Sequence, residues 1–286
     1  MNPRSGVLAA LVLFAASGIA DAADRFTLTG KIEQGALVFG RTEPGTIVHV
    51  GGRRVRLTAN GRFVFGIGRD RKEPVNLGLR YPDGRFERRM LIVAPRKWRI
   101  QHIRGIPKKF VTPPPSLMKR LEREYFLMRD VRKTDSALTH WTEKLRWPAV
   151  GRITGVFGSQ RIYNGKPRSF HSGVDVGVGT GYPVRAPAGG VVTLTHPGMF
   201  FAGKTVVVDH GHGIASTFIH LSKVTVRKGD RVRAGDIVGR VGRTGRATGA
   251  HLHWSLSWFQ IRVDPQPLVG PMPKRRGAKR QPAKGR

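Results

Sequence analysis

The chain has 286 residues, 39% of them hydrophobic, which is enough for a buried core and one or two domains. Lysine and arginine number 51 against 18 acidic residues. The resulting net charge of +33 favours polyanionic partners. The alternative is that the basic residues serve only to keep the protein soluble. The chain contains no cysteine, which excludes disulfides, thiolate metal sites and a lipid-modified cysteine.

Residues 1–22 predict a secretory signal peptide. Arg4 precedes an apolar run from Val7 to Ala16, and Ala20-Asp-Ala22 fits a small-residue cleavage site. The run is short for a membrane span, and an uncleaved anchor is the competing interpretation. We therefore expect an exported protein of the periplasm or cell wall, without a transmembrane span after signal removal.

Residues 23–98 predict a small β-sandwich of the immunoglobulin-like type. Short apolar segments are separated by turn sequences at Gly51-Gly52 and Asn60-Gly61, and Asn-Gly is a strong hairpin signal. No catalytic pattern occurs in this segment. We expect it to bind the wall, to bind a partner, or to mask an active site.

Residues 99–146 predict a proline-rich and helical connector. After Pro113-Pro-Pro115, apolar residues recur at spacings of four and three, which is typical of an amphipathic helix. The residues of this stripe are Leu117, Leu121, Tyr125, Met128 and Val131. We expect the stripe to pack against the core.

Residues 147–269 are rich in glycine and predict a sheet of many strands. Side chains i and i+2 of a strand share a face, so His251 and His253 should look into one groove. Upstream, His171 and Asp175 offer a further imidazole and a carboxylate. Two imidazoles and one carboxylate suit zinc and leave a fourth position for water, as in a hydrolase.

Other residues compete for a place in this site. His210 and His212 form a second His-x-His, but they lie in a glycine turn where spacing does not fix a common face. Asp209 and Asp264 are candidate partners of a metal-binding histidine, or else turn and surface acids. Trp254 should point away from the metal, into the core. Candidate groove-lining residues are Tyr163, Asn164 and Arg168.

Four segments occur in order along this part of the chain. They are Gly151-Arg-Ile-Thr-Gly-Val-Phe-Gly158, His171-Ser-Gly-Val-Asp175, Thr217-Phe-Ile-His220-Leu221-Ser222 and Thr244-Gly-Arg-Ala-Thr-Gly-Ala-His251-Leu-His253-Trp254. Together they resemble the M23 (lysostaphin-like, LytM-type) zinc endopeptidases of bacterial cell walls, most closely members exported by Gram-negative bacteria.

The resemblance implies a LytM-type antiparallel catalytic domain that binds Zn²⁺ through His171, Asp175 and His253. It also implies two unliganded catalytic histidines, His220 and His251, with the roles of base and oxyanion stabiliser left open between them. The implied substrate is peptidoglycan, cut in its peptide cross-links, and the implied cross-link is of the diaminopimelate type.

Three alternatives differ in class. The first is a non-catalytic protein that binds peptidoglycan and activates another cell-wall hydrolase. The second is a biotinyl or lipoyl carrier, suggested by residues 226–238, which lack the lysine turn that such carriers need. The third is a nucleic-acid binder, which accounts for the charge but not for the histidines, so we expect no specific nucleic acid.

Residues 270–286 contain many basic residues and no acidic one. Their low apolar content predicts a disordered tail. The tail could tether the protein to an anionic surface or could be an inert extension.

Overall fold

The computed structural model describes residues 25–274. The predicted signal peptide at 1–22 and most of the predicted basic tail lie outside the described residues. Within residues 25–274, every helix is too short or too polar to cross a lipid bilayer.

The N-terminal part folds as two antiparallel sheets. Their strands are β1 (Phe26–Thr29), β2 (Leu37–Thr42), β3 (Ile47–Val50), β4 (Arg53–Val55), β5 (Arg62–Gly66), β6 (Val75–Arg80) and β7 (Phe86–Leu91). One sheet has the order β1-β2-β5 and the other β4-β3-β6-β7. Val38, Phe63 and Leu77 from both sheets share one core, as a sandwich requires. The immunoglobulin-like type stays a prediction.

The Asn60-Gly61 turn differs from the predicted hairpin. Strand β4 before the turn pairs with β3, whereas β5 after it pairs with β2 in the other sheet. The turn is closed locally, because Gly61 N donates to Thr58 O at 2.9 Å and Thr58 N donates to Arg62 O at 2.9 Å. The Asn-Gly sequence therefore predicts the turn correctly, but the partner of β5 is set by packing across the sandwich.

The connector contains more than helix. It comprises β8 (Ile100–Ile103), α1 (Lys108–Val111) and α2 (Met118–Val131), with short 3-10 helices at Pro115–Leu117 and His140–Thr142. Strand β8 was not predicted. It pairs in parallel with a strand of the following region, from Ile100 opposite Gln160 to Ile103 opposite Tyr163. The connector is thereby hydrogen-bonded to the region that carries the histidines.

Helix α2 forms where the periodicity predicts it, but its expected packing is only partly correct. Met128 and Val131 contact a small apolar cluster around Leu194 and Val207. Tyr125 of the same stripe is 63% exposed, and no residue of α2 is buried. Helix α2 therefore contacts the sheet through Met128 and Val131, which lie at its C-terminal end.

The C-terminal part is dominated by a ten-stranded sheet. Its strands and their neighbours are β9 (Arg152–Gly155), β10 (Gln160–Tyr163), β11 (Lys166–Pro167), β12 (Val174–Gly177), β13 (Pro183–Arg185), β14 (Gly190–Met199), β15 (Gly203–Gly211), β16 (Ile214–Val224), β17 (Arg231–Val232), β18 (Ile237–Val241), β19 (Leu252–Trp258) and β20 (Ile261–Val263), followed by α3 (Gln266–Val269). The main path runs β17-β14-β15-β16-β19-β12-β9, while β11-β10-β8 form a separate sheet. The fold is mainly β, as predicted.

Strand β19 links the two halves of the molecule. Its apolar side chains alternate with polar ones, so that Leu252 and Trp254 enter the core of the large sheet while Leu256 and Trp258 enter the sandwich core. Gly66 of β5 lies against this strand, because a Cβ there would come within 3.0 Å of Trp258 Cβ. The alternation leaves the opposite face of β19 for its polar residues.

Candidate metal centre

Three of the predicted residues converge on one point. The atoms His171 Nε2, Asp175 Oδ1 and His253 Nδ1 lie 2.7–2.9 Å from one another. All three residues are buried, and they form a group whose ligand atoms could hold one metal ion. The structure therefore brings together the three residues that the sequence assigned to zinc.

Sheet register places two of these side chains side by side. Asp175 on β12 stands directly opposite His253 on β19, so both point to the same face. Their sequence neighbours Val174 and Trp254 also stand opposite each other and are fully buried on the other face. The expectation that Trp254 belongs to the core is confirmed, and the burial of these apolar neighbours fixes the direction of both candidate ligands.

His171 is oriented from behind by the main chain. Its Nδ1 donates to Val156 O at 2.9 Å, so in the neutral imidazole Nε2 carries a lone pair. That lone pair faces Asp175 Oδ1. A backbone carbonyl on the far nitrogen is a common way of holding a metal-binding histidine.

Asp175 is held through its second oxygen. Arg161 Nη2 donates to Asp175 Oδ2 at 2.8 Å, while Oδ1 faces the two histidines. Gly155 on β9 provides the space for the carboxylate, since a Cβ there would lie 2.5 Å from Asp175 Oδ2 and 3.0 Å from His171 Cε1. Neither Arg161 nor Gly155 was singled out in the sequence.

His220 reaches the site through an unusual backbone conformation. Ile219 stands opposite His253, so regular alternation would turn His220 to the other face of the sheet. His220 instead has φ of 63°, in the left-handed region that costs a non-glycine residue free energy. Its ring centroid consequently lies 6.3 Å from that of His253 and 5.0 Å from that of His251.

His251 and His220 are both held by a hydrogen bond from Nδ1 to a backbone carbonyl. His251 Nδ1 donates to Gly249 O at 2.9 Å, and His220 Nδ1 donates to Thr244 O at 2.8 Å. In the neutral rings each Nε2 is therefore free to accept a proton. His251 Nε2 lies 3.8 Å from Asp175 Oδ1, which places this ring beside the three converging atoms.

The titration behaviour of the site favours cation binding. Burial raises the pKa of Asp175, but its contacts with His171 and His253 outweigh burial and hold that pKa well below its usual range. Burial lowers the pKa of His253 to about 4 and, with His253 and His251 nearby, that of His220 to about 3. At neutral pH the site thus presents a charged carboxylate at Asp175 and uncharged imidazoles at His220 and His253.

This donor set fits zinc. His171 Nε2 and Asp175 Oδ1 are both hydrogen-bond acceptors when the His171 proton is on Nδ1, so their close approach calls for a cation between them. Two imidazole nitrogens and one carboxylate oxygen form a three-ligand set of the kind found in catalytic zinc sites. The chain offers the oriented second partners, Val156 O and Arg161, that such sites use.

The site opens into two cavities. One of about 250 Å³ is lined by residues that include His171, His220 and His253. Another of about 430 Å³ is lined by Asp175, His220 and His251 and by residues of the connector around Ile103. The histidines therefore border two cavities, which share His220 as a lining residue.

The second His-x-His does not join the site. His210 Nδ1 donates to Gly189 O at 2.6 Å, and its Nε2 pairs with Ser216 Oγ at 2.9 Å. His212 lies in the left-handed region and packs against the ring of Trp141. As predicted, Asp209–Gly213 forms the hairpin between β15 and β16.

The remaining candidates differ in position. Asp209 accepts hydrogen bonds from Ser136 Oγ and from the backbone, and Asp264 pairs with Arg96, so these bonds serve loops rather than the candidate ligands. Tyr163 lines both cavities. The side chains of Asn164 and Arg168 bond to backbone atoms of the connector.

The feature that sequence reasoning missed is Arg161. Its signal is the alternation of Arg161 and Tyr163 on β10, which places both on one face, and a hydrogen bond from Arg161 Nη1 to Tyr163 Oη at 3.2 Å joins them. The backbone carbonyls that orient the histidines leave no signal in the side-chain pattern at all.

Comparison with known proteins gives a consistent result. Residues 169–265 match the model of peptidase family M23. A solved structure, a putative peptidase M23 from Pseudomonas aeruginosa, is 32% identical and has a TM-score of 0.66, covering 84% of this chain and 96% of that one.

Two curated relatives match the histidine-bearing region. The peptidoglycan DD-endopeptidase ShyA of Vibrio cholerae is 40% identical over 108 residues, which cover 37% of this chain and 24% of that protein. The DD-carboxypeptidase/endopeptidase Mpg of Neisseria meningitidis is 38% identical over 99 residues, or 34% of this chain and 21% of that protein. The match thus spans less than a quarter of each curated relative. With the likeness to the Pseudomonas structure extending over nearly its whole length, the chain belongs to peptidase family M23.

Proposed function

We propose that this protein is a zinc-dependent endopeptidase that hydrolyses peptide cross-links of bacterial peptidoglycan. The observation that carries the proposal is the convergence of His171, Asp175 and His253 within 2.9 Å, with His220 and His251 beside them. The relatives named as peptidoglycan endopeptidases support the choice of substrate.

His171 Nε2, Asp175 Oδ1 and His253 Nδ1 would hold the zinc ion. When bound there, zinc supplies a Lewis acid that lowers the pKa of water towards neutrality and polarises a carbonyl. Arg161 keeps the carboxylate of Asp175 turned towards the ion through its second oxygen. Val156 O keeps the His171 proton on Nδ1, so that Nε2 remains a ligand atom.

His220 and His251 would carry the proton transfers. Each has its Nδ1 proton on a backbone carbonyl, so each Nε2 can accept a proton from the attacking water and return it to the leaving amine. A ring whose Nε2 has taken up a proton is an imidazolium, and its Nε2–H can then donate to the oxyanion. The left-handed backbone of His220 is strain stored at a position where the side chain would otherwise face away.

The protein is also proposed to act after export, with residues 1–22 as its signal peptide and residues 147–269 as its catalytic domain. Residues 23–98 and 99–146 would then form a sandwich domain and a connector. Residues 270–286 would form a basic tail for an anionic surface. The net charge of +33 is compatible with an anionic wall.

The test is digestion of purified peptidoglycan, with mass spectrometry of the released fragments. We expect newly freed peptide stems in the presence of zinc and none after the metal is removed with a chelator, with recovery on adding zinc back. Cleavage that persists in the stripped protein would refute the mechanism. One zinc per chain with no fragment released would favour the alternative, a non-catalytic activator.

A further inference from the structure

Two arginine side chains line both cavities beside the candidate metal centre. They are Arg161 and Arg246. Arg161 bonds to Asp175 Oδ2 through one terminal nitrogen and to Tyr163 Oη through the other. Its Nε is buried and has no hydrogen-bond partner. Arg161 therefore has one buried donor without a partner.

Arg246 also contacts Tyr163. Its guanidinium group stacks 4.9 Å from the centre of the Tyr163 ring and 4.6 Å from that of Phe201. Its Nη1 donates to Phe110 O at 3.4 Å. Aromatic faces and a carbonyl stabilise a cation without neutralising it, so the charge of Arg246 is not balanced by these partners.

A third guanidinium group adds to the positive potential. Arg168 Nη2 donates to the carbonyl of Val111, and its Nε is buried without a partner. Burial lowers the pKa of Arg246, and the neighbouring charges of Arg161 and Arg168 lower it further against the influence of Tyr163. Three cations in one desolvated region repel one another unless an anion joins them.

The protein supplies few acidic side chains to balance the positive charge of these arginines. Among the described residues lining the two cavities, Asp175 is the only acidic side chain. Its carboxylate already faces His171 and His253 through Oδ1, so with a divalent cation in place the groove carries a large positive excess. Buried arginines are found paired with carboxylates or phosphates, and bidentate pairs are the strongest.

We propose that Arg161 and Arg246, backed by Arg168, form a subsite that binds a carboxylate on the carbon attached to the leaving amide nitrogen of the substrate. The inference rests on the proposed function and names the substrate group that this groove selects. A single carboxylate joins Arg161 to the candidate metal position, because Asp175 Oδ2 accepts from Arg161 while Oδ1 faces His171 and His253. A substrate carboxylate next to the cleaved amide would therefore lie close to these donors.

Two sources of this carboxylate share the same chemistry. In a cross-link to diaminopimelate, the carbon that bears the amide nitrogen can carry a free carboxylate. In a peptide ending in D-Ala-D-Ala, the terminal carboxylate occupies the equivalent position. Both present an anion two bonds from the cleaved nitrogen, and an amide in its place removes the charge while keeping the shape.

The experiment measures binding of two matched peptide pairs by calorimetry. One pair is an acetylated peptide ending in D-Ala-D-Ala as the free acid or the carboxamide. The other is a dimer joined through D-Ala and diaminopimelate, with the adjacent diaminopimelate carboxylate free or amidated. The protein is the full chain carrying zinc and the substitution His220→Ala, which limits cleavage during the titration.

We expect the free acid of at least one pair to bind about 10- to 100-fold more tightly than its amide. Arg246→Gln should reduce that ratio to about 1 without changing zinc content. Arg243→Gln is the matched control, because Arg243 lies in the same loop, is exposed and lines neither cavity. It should keep the full ratio. A preference in one pair only identifies the source of the carboxylate.

Equal binding of acid and amide in both pairs would overturn the inference, as would an unchanged ratio in Arg246→Gln. Should that variant fail to fold, the wild-type ratio and Arg168→Gln, which should lower the ratio by less, decide instead. Wall digestion separates the two proposals. Protein that prefers the acid but releases no fragment counts against the proposed function and leaves this subsite standing.

Discussion

Two His-x-His pairs in this chain have the same spacing and opposite structural outcomes. His251 and His253 face an aspartate and two further imidazoles. His210 and His212 lie at a hairpin, where His210 is occupied by Gly189 O and Ser216 Oγ. The difference lies in the partners of each pair. Strand register places Asp175 opposite His253, whereas the hydrogen-bond partners of His210 are a backbone carbonyl and a serine hydroxyl.

The comparison also shows how each ring is held. At the candidate metal centre, Val156, Thr244 and Gly249 each accept the Nδ1 proton of one histidine, which leaves Nε2 unprotonated towards the site. At the hairpin, both nitrogens of His210 are already used within the core. A histidine becomes available for chemistry only when one nitrogen remains free and faces an open cavity.

The largest difference should appear when one histidine of each pair is removed. His253→Ala should lose zinc and lower cleavage by at least about 10³-fold, since two donor atoms cannot form the three-ligand site. His210→Ala should retain about one zinc per chain and most of the activity. Metal analysis and wall digestion check both. If the His210 variant lost zinc and the His253 variant kept it, His210 rather than His253 would be the zinc ligand.

His220 separates metal binding from proton transfer. His220→Ala should retain zinc but lower kcat by about 10²- to 10⁴-fold, the usual contribution of a positioned acid or base. Zinc analysis together with steady-state kinetics on a defined peptide gives the result. Normal turnover in a zinc-loaded His220→Ala protein would remove His220 from the mechanism.

His210, at the hairpin, should instead make the free energy of unfolding depend on pH. Burial lowers the pKa of His210 to about 4, below its value of about 6.5 in the unfolded chain. The unfolded state therefore binds more protons between these values, so stability is complete above about pH 6.5 and falls as pH decreases towards 4. From pH 8 to pH 5 the loss should be about 2 kcal/mol.

Denaturant unfolding of the wild type and His210→Gln at pH 8 and pH 5 measures this contribution. Both proteins should be freed of metal, so that titration of the site cancels in the difference. The variant should be less stable at pH 8 and should show a smaller loss on acidification. An identical loss in both proteins would mean that His210 does not contribute.

The smallest effect should come from Gly155, which makes room for Asp175. Gly155→Ala would place a Cβ 2.5 Å from Asp175 Oδ2 and should weaken zinc affinity by about tenfold through displacement of the carboxylate. Gly179→Ala is the control, since a Cβ there meets open space. Competition with a chromophoric chelator measures both affinities, and equal affinities would show that the carboxylate has room to move.

Much of this site was predictable because its residues follow strand alternation. The motifs containing His171, Asp175 and His253 predict their convergence, and the apolar residues between them predict which face is core. His220 was identified by resemblance alone, since its side chain reaches the site only through a left-handed backbone. Arg161 is not predicted by the motifs, because an arginine is not a metal-ligand residue type.

Long-range pairing accounts for the other differences. The partner of β5 across the sandwich and the parallel pairing of β8 with β10 depend on contacts far apart in sequence, which no local turn signal encodes. The apolar stripe of α2 has the periodicity of a core helix, but Met128 and Val131 contact an apolar cluster whereas Tyr125 is exposed. Periodicity predicts a helix without predicting how much of it is buried.

X-ray absorption at the zinc edge of the purified wild-type protein tests the central claim most directly. The account predicts about one zinc per chain, bound by two imidazole nitrogens and one carboxylate oxygen at about 2.0–2.2 Å with one further oxygen from water. A zinc-free protein that still digests peptidoglycan, or a spectrum without imidazole scattering, would contradict it.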